Sequence, residues 1–390
     1  MGSYFIFNTS KVGGIVQKLR SLQKILNGNN EAIEYTLIDS SGNIIEADIY
    51  DIAKMVKDGE WDVVNLELIQ DPEIDLKVSF KEKELPEEYK KLGIREAEVL
   101  SDSSARNLVN KARIFGNIEE IPTACGNKCV VIHQKSERHI LYIPDTVTSL
   151  NNIDKKSAFS KAMHKLRGEL IVVGGKNLEN TANMFYGCIL NYIDCSNLNT
   201  SKVTDMRSMF EKCTADYINL DRIDTHNVID FSYMFNSCYT KLLDLGSLNT
   251  ESAENMSDMF SHCMAWYINV SSFDTHNVTK MQRMFKECSI QAIDLSNFDT
   301  SSVTSMKEMF SSTNIVYLDL SSFNTNNVKN ILYMFRNCSK MEYLDLSSFK
   351  STRFKGCDMT TMFDNCETRV KITDKLLLDA YSLFRAHRGT

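Results

Sequence analysis

Over the C-terminal part of the chain, apolar positions return with a fixed period. The dipeptide Met-Phe stands at Met184, Met209, Met234, Met259, Met284, Met309 and Met334, 25 residues apart each time, and again at Met362 after a longer interval. Three residues after each Phe comes a Cys, at Cys188, Cys213, Cys238, Cys263, Cys288, Cys338 and Cys366, with Thr313 in the one remaining place. A period of this length suits one strand plus a short return segment, and stacking such units buries a core that no unit can bury alone. Within a unit, Tyr217-Ile218-Asn219-Leu220, Leu242-Leu243-Asp244-Leu245 and Tyr317-Leu318-Asp319-Leu320 alternate, which predicts a strand with one buried face. A polar turn such as Ser321–Asn327 follows. Val228, Phe231, Met234, Phe235 and Cys238 then fall at helical spacing and predict a helix of about three turns. One apolar residue recurs inside the polar turn, at Leu198, Ile223, Leu248, Phe273, Phe298, Phe323 and Phe349, and is expected to fill the space between strand and helix.

The flanks read differently. Residues 10–27 carry Val12, Ile15, Val16, Leu19, Leu22, Ile25 and Leu26 on one helical face. Ile33–Asp39 and Ile44–Ile49 flank Ser40-Ser41-Gly42-Asn43 as a hairpin, Asp48 begins a helix to Lys57, and Trp61–Ile69 reads as a strand. The charged run after Phe80, KEKELPEEYKK, reads as a solvated connection or a helix start rather than a binding site. A helix is expected over 103–115, a hairpin from Cys129–His133 and His139–Ile143, a helix over 154–166, and a first repeat strand at Leu170–Val173. Thr373 or Asp374 can cap a last helix whose apolar face is Leu376, Leu377, Ala380, Leu383 and Phe384. The expected organisation is a small α/β module over 1–75, an N-terminal cap of helices and hairpin over 76–165, the solenoid over 166–372 and a capping helix over 373–390.

The run from Leu318-Asp319-Leu320-Ser321-Ser322-Phe323 through Val328, with Met334-Phe335 and Cys338, resembles the leucine-rich repeat of the BspA type, known from bacterial surface proteins. The resemblance covers more than half of the chain. It implies an α/β fold, a curved right-handed leucine-rich-repeat solenoid of 25-residue strand-turn-helix units with the small mixed α/β region in front of it, and, in secreted members, adhesion. A shorter stretch, Tyr35–Asp39 through Asp51–Val56 to Val64-Asn65-Leu66, resembles small α/β modules of phage and other mobile-element proteins.

Composition narrows the function. The balance of 44 Lys plus Arg against 51 Asp plus Glu gives a net charge of -7, with no basic block, so sequence-independent nucleic-acid binding is not expected. No apolar run is long enough to cross a membrane. The opening MGSYFIFNTSKVGG lacks the pattern of a secretory signal, which makes the cytoplasm the expected location.

Candidate chemistry is sparse. Cys125, Cys129, His133 and His139 have zinc-binding residue types, but a structural site separates its two ligand pairs by about a dozen residues or more, so a hairpin with unrelated thiols beside it, and no metal, is expected. The Cys of the repeats occupy inward positions and are expected to be reduced, behaving as small apolar residues. His226, His262 and His276 fall in solvated repeat positions, and no glycine-rich phosphate loop or nucleophile elbow occurs. Hence no catalytic residue and no cofactor is expected.

A binding surface is easier to place. If Ile218 and Leu220 point inward, alternation puts Tyr217 and Asn219 on an open and, from the resemblance, concave face. In register this gives a Tyr column of Tyr192, Tyr217, Tyr267, Tyr317 and Tyr343 beside an Asp/Asn column of Asp194, Asn219, Asp244, Asn269, Asp294, Asp319 and Asp345. Tyr is enriched at interfaces, whereas Asp and Asn can equally bond along the ladder while Tyr shields the strand. The function expected is non-enzymatic recognition of a protein partner, as a phage or mobile-element effector acting on a host factor such as a defence component. The alternative is a BspA-type cell-surface adhesin exported by another route.

Overall fold

The computed structural model describes residues 35–38, 44–45, 61–68, 76–82, 106–107, 109–110, 112–113, 117–134, 137–150, 158–350, 359–366 and 368–386. It forms two compact units, one made mainly of residues 1–98 and the other mainly of residues 99–390.

In the first unit, β1 (Tyr35–Ile38), β2 (Ile44–Ile45), β3 (Trp61–Leu68) and β4 (Leu76–Glu82) form one sheet in the order β2-β1-β4-β3. The expected hairpin pairs Leu37 with Ile45 and Ile38 with Ile44, and β1 runs parallel to β4. Strand β4 corrects the expected connection after Phe80: Leu76, Val78 and Phe80 alternate with Lys77, Ser79 and Lys81, and the strand runs on into the first charges of the KEKE segment. The helices expected over 10–27 and 48–57 lie outside the described residues.

The second unit begins with an antiparallel meander of β5 (Ile118–Pro122), β6 (Lys128–His133) and β7 (Arg138–Ile143). The sequence reading gave β6 and β7 but not β5, whose Glu119 and Glu120 break the apolar run. After helix α1 (Ala158–Lys165), β8 (Glu169–Gly174) pairs parallel to β7. Then β9 (Tyr192–Leu198), β10 (Tyr217–Asn219), β11 (Leu242–Asp244) and β12 (Tyr267–Asn269) follow in parallel, completing an 8-stranded sheet. A second parallel sheet holds β13 (Tyr317–Asp319), β14 (Tyr343–Asp345) and β15 (Arg369–Lys371). Helix α2 (Lys375–Ala386) closes the end, with Leu377 N–H donating to the Asp374 side chain as the N-cap. Of the two capping candidates, Asp374 does this work, while Thr373 Oγ1 donates to the Ser347 carbonyl.

The core of the rungs is a set of columns. Phe185, Phe210, Phe235, Phe260, Phe285, Phe310, Phe335 and Phe363 are fully buried, and each ring stacks on the next at 5.2 to 6.0 Å. The Cys column and the turn residues from Leu198 to Phe349 are buried beside it, in the inward places the sequence implied. Hydrogen bonding to a neighbouring thiol, then burial, pushes Cys238 and Cys263 well above the usual thiol range, so these two stay protonated in the folded chain.

The solenoid is as expected, but its return segment is not an α-helix. In the rung from Val228 to Cys238, Phe231, Tyr233, Phe235 and Ser237 donate their N–H groups to carbonyls of the next rung, at 2.8 to 3.0 Å. Met234 and Cys238 close tight turns onto the carbonyls of Phe231 and Phe235. Two residues four apart, Tyr233 at φ 59° and Ser237 at φ 55°, take the left-handed conformation, and the same two places do so in rung after rung. The physical reason is spacing. Rungs are one strand apart on this side too, with isolated parallel bridges from Asn180 through Asp205, Asp230, Asn255, Lys280 and Ser305 to Asn330. A helix is about 10 Å wide and cannot stack at a strand spacing of about 4.8 Å. Successive tight turns also bring positions 0, 3, 4 and 7 inward, so the apolar pattern serves either conformation.

Candidate interaction surface

Each rung presents its strand residues in strict register. Tyr217 pairs with Tyr192 and Leu242, Asn219 with Asp194, and Asp244 with Asn269. Tyr317 and Asp319 pair with Tyr343 and Asp345 in the second sheet. Alternation therefore puts the predicted binding residues on one sheet face, with Ile193, Ile218, Leu243, Ile268, Leu318 and Leu344 buried behind them. Asp294 lies in the rung between the two sheets, outside any strand, and accepts from the Ser296 N–H.

The two columns differ in what is left for a partner. Every Asp or Asn in the column accepts the backbone N–H two residues on: Ser196 to Asp194, Asp221 to Asn219, Gly246 to Asp244, Ser271 to Asn269, Ser321 to Asp319 and Ser347 to Asp345. Asn219 and Asn269 also donate across to Asp194 (3.1 Å) and Asp244 (2.7 Å). Lys371 reaches buried Asp345 at 2.6 Å and ends the column with a cation. These side chains close each strand and lock each rung to the next.

The Tyr rings are half-buried and stack: Tyr192 on Tyr217 at 5.7 Å, Tyr317 on Tyr343 at 4.8 Å. Burial, then the nearby carboxylates, pushes the Tyr192 and Tyr343 hydroxyls above the ordinary phenol range, so both stay protonated. The hydroxyls of Tyr317 and Tyr343 are themselves buried.

The sequence reading missed a second feature. At the corner that leads into the strands, Ile189, Thr214, Tyr239 and Met264 stand in one ladder. Tyr239 is 48% exposed, Met264 52%, and Trp266, next to Tyr267, 69%. The signal was present for Trp266, which stands where Asn191, Asp216, Lys241 and Gln291 stand in other rungs. The corner positions do not repeat from rung to rung, so the period does not point to them.

A further column is structural. Thr225 Oγ1 donates to the Asn249 carbonyl (2.7 Å) and accepts the Asn249 N–H (2.9 Å), and Thr250 does the same with Asp274 and Thr300 with Asn324. His226 and His276 each face the Asp two residues before them and are exposed, as expected of solvated positions.

The four zinc-type residues do not converge. Cys125 sits in the β5–β6 turn, Cys129 is fully buried in β6, and His133 lies at the opposite end of β6, paired with His139 of β7. Among the described residues no group of three or more His, Cys, Asp and Glu side chains gathers as a metal site. Burial raises the Cys125 thiol, but hydrogen bonds from Thr123 Oγ1 and from the backbone N–H groups of Ser149, Asn127 and Thr148 outweigh it and hold its pKa at about 6.

The fold and this surface define a repeat solenoid whose rungs are locked by polar columns and whose corner and strand face carry aromatic residues. The chain belongs to the family described as Mycoplasma protein of unknown function, DUF285, whose model matches residues 154–270 and 257–375, together more than half of the chain. No curated protein and no solved structure matches. The matched residues do not include the N-terminal stretch 35–66. No helix among the described residues is long and apolar enough to cross a membrane.

Proposed function

We propose that this chain is a non-catalytic recognition protein that binds a protein partner along the corner and strand face of its solenoid. The observation that carries this reading is the exposed group Tyr239, Met264 and Trp266 on adjacent rungs, beside the half-buried Tyr217 and Tyr267. Trp, Tyr and Met are enriched at the cores of protein interfaces. A rigid array needs little ordering on binding, because its contact residues are held in register by the Asp/Asn and Thr columns. In the finer reading the partner is a host factor, such as a defence component, met by a mobile-element effector. The likeness of residues 35–66 to mobile-element modules supports that reading.

The test is affinity capture of the full chain from its own host, beside a variant carrying Tyr217→Ala, Trp266→Ala and Tyr267→Ala. A stoichiometric partner is expected with the parent chain, weakened ~10-fold or more in the variant, while both show the same thermal transition. Equal capture by both would remove this surface as the binding site. A partner that is a secreted or surface component would favour the adhesin reading.

A further inference from the structure

The far end of the solenoid holds two cysteines that the recognition surface does not use. Cys338 and Cys366 take the same inward place in the last two repeat rungs, and both are fully buried with free thiols. The rungs that carry them are in close register. Phe335 N–H donates to the Met362 carbonyl at 2.9 Å, Asn337 N–H to the Asp364 carbonyl at 2.7 Å, and the Phe335 and Phe363 rings stack at 6.0 Å. The two thiols meet and hydrogen-bond to each other. Rungs one strand spacing apart, about 4.8 Å, fall inside the roughly 4.4–6.8 Å between Cα atoms that a disulfide spans. A bond between these sulfurs therefore requires no rearrangement of the backbone.

Two features set this pair apart from the rest of the column. Thr313 takes the place before Cys338, so Cys338 has one cysteine neighbour, where Cys213, Cys238 and Cys263 each stand between two. Cys366 lies in the last rung, which has another rung on one side only and opens before the middle of the array. The hydrogen bond to Cys338, with backbone N–H groups of Thr368 and Cys338, holds the Cys366 thiol below the usual range against the effect of burial. The same rung carries the end cap. Phe363 meets Tyr381 of α2 edge to face at 5.1 Å, and the Tyr381 hydroxyl donates to the Thr368 carbonyl.

We propose that Cys338 and Cys366 form a redox staple at the capped end of the solenoid, a dithiol that a small-molecule disulfide oxidises to an inter-rung disulfide. As the end rung opens, the Cys366 thiolate attacks the external disulfide, forming a mixed disulfide and releasing one thiol. Cys338 then attacks the Cys366 sulfur and releases the second thiol. The two protein protons leave on the two small thiols; the cysteine pair loses two electrons and the external disulfide gains them. The new bond ties the rung that holds α2 to the rung before it, so the end no longer opens by itself. In a reducing compartment the pair stays a dithiol.

The test incubates the folded full chain with cystamine, a small disulfide, and maps its peptides without reduction. A peptide pair joining Cys338 to Cys366 is expected, and dithiothreitol is expected to separate it. This readout needs no variant to fold. The oxidised chain is expected to unfold at a higher denaturant concentration than the reduced one, and this shift is expected to be absent in Cys338→Thr. That variant introduces the residue that the column already buries at Thr313. Absence of the Cys338 to Cys366 peptide, or cross-links among other rung cysteines in its place, would overturn the proposal. A cross-link that leaves the denaturant midpoint of the parent unchanged would show that the bond is no staple.

Discussion

The cap and the rungs share one continuous sheet, yet the same column changes character along it. Ile140 pairs with Ile171, Ile171 with Asp194, Asp194 with Asn219, and the line continues to Asp244 and Asn269. On the cap side the outer face is apolar: Val130, Ile132, Ile140, Tyr142, Ile171 and Val173 pack with Val109 and Ala112, both helical residues that precede the meander. Once that cover ends, the column turns to Asp and Asn, which tie the strands together by hydrogen bonds instead. The inner face does not change, because Leu170, Ile193, Ile218 and Leu243 meet the same core throughout. What covers a strand decides its residues, and backbone pairing alone does not.

The largest expected effect comes from the shared inner face. Phe260→Ala removes a fully buried ring stacked on both sides, at 5.9 Å from Phe235 and 5.4 Å from Phe285. It is expected to destabilise the protein by about 3–5 kcal/mol, read by denaturant unfolding, and an unchanged midpoint would show the inner face misassigned. Next is the exchange of column character. Ile171→Asp puts a carboxyl beneath the helical cover and is expected to cost about 3 kcal/mol. If that variant unfolds like the parent chain, the contrast between cap and rung is not one of covering.

The smallest effect separates thiols rather than folds. Cys125 is expected to react with iodoacetamide at a rate that rises through pH of about 6 and then levels, since its thiolate is the nucleophile. The sign follows from its lowered pKa: the thiolate is present above that value and lost as pH falls through it. Mass spectrometry after brief labelling of folded protein should find Cys125 modified and the buried Cys of the rungs untouched. Equal labelling of Cys238 or Cys263 would mean that the rungs open readily.

The period, the strand of most units and its inward residues were legible in the chain because every rung meets the same core and repeats the same answer; the C-terminal helix was legible too, but Leu376 of its expected apolar face is exposed. The register that lines up Tyr217 with Tyr192 follows from the 25-residue spacing alone. Much of the candidate surface was not legible. Tyr239, Met264 and Trp266 break the repeat, and only burial shows that they break it outward. The form of the return segment likewise lay beyond the local pattern. Val228, Phe231, Met234, Phe235 and Cys238 bury equally well as one face of a helix or as a run of tight turns. The neighbouring rung, one strand spacing away, takes up their N–H groups and leaves no room for a helix.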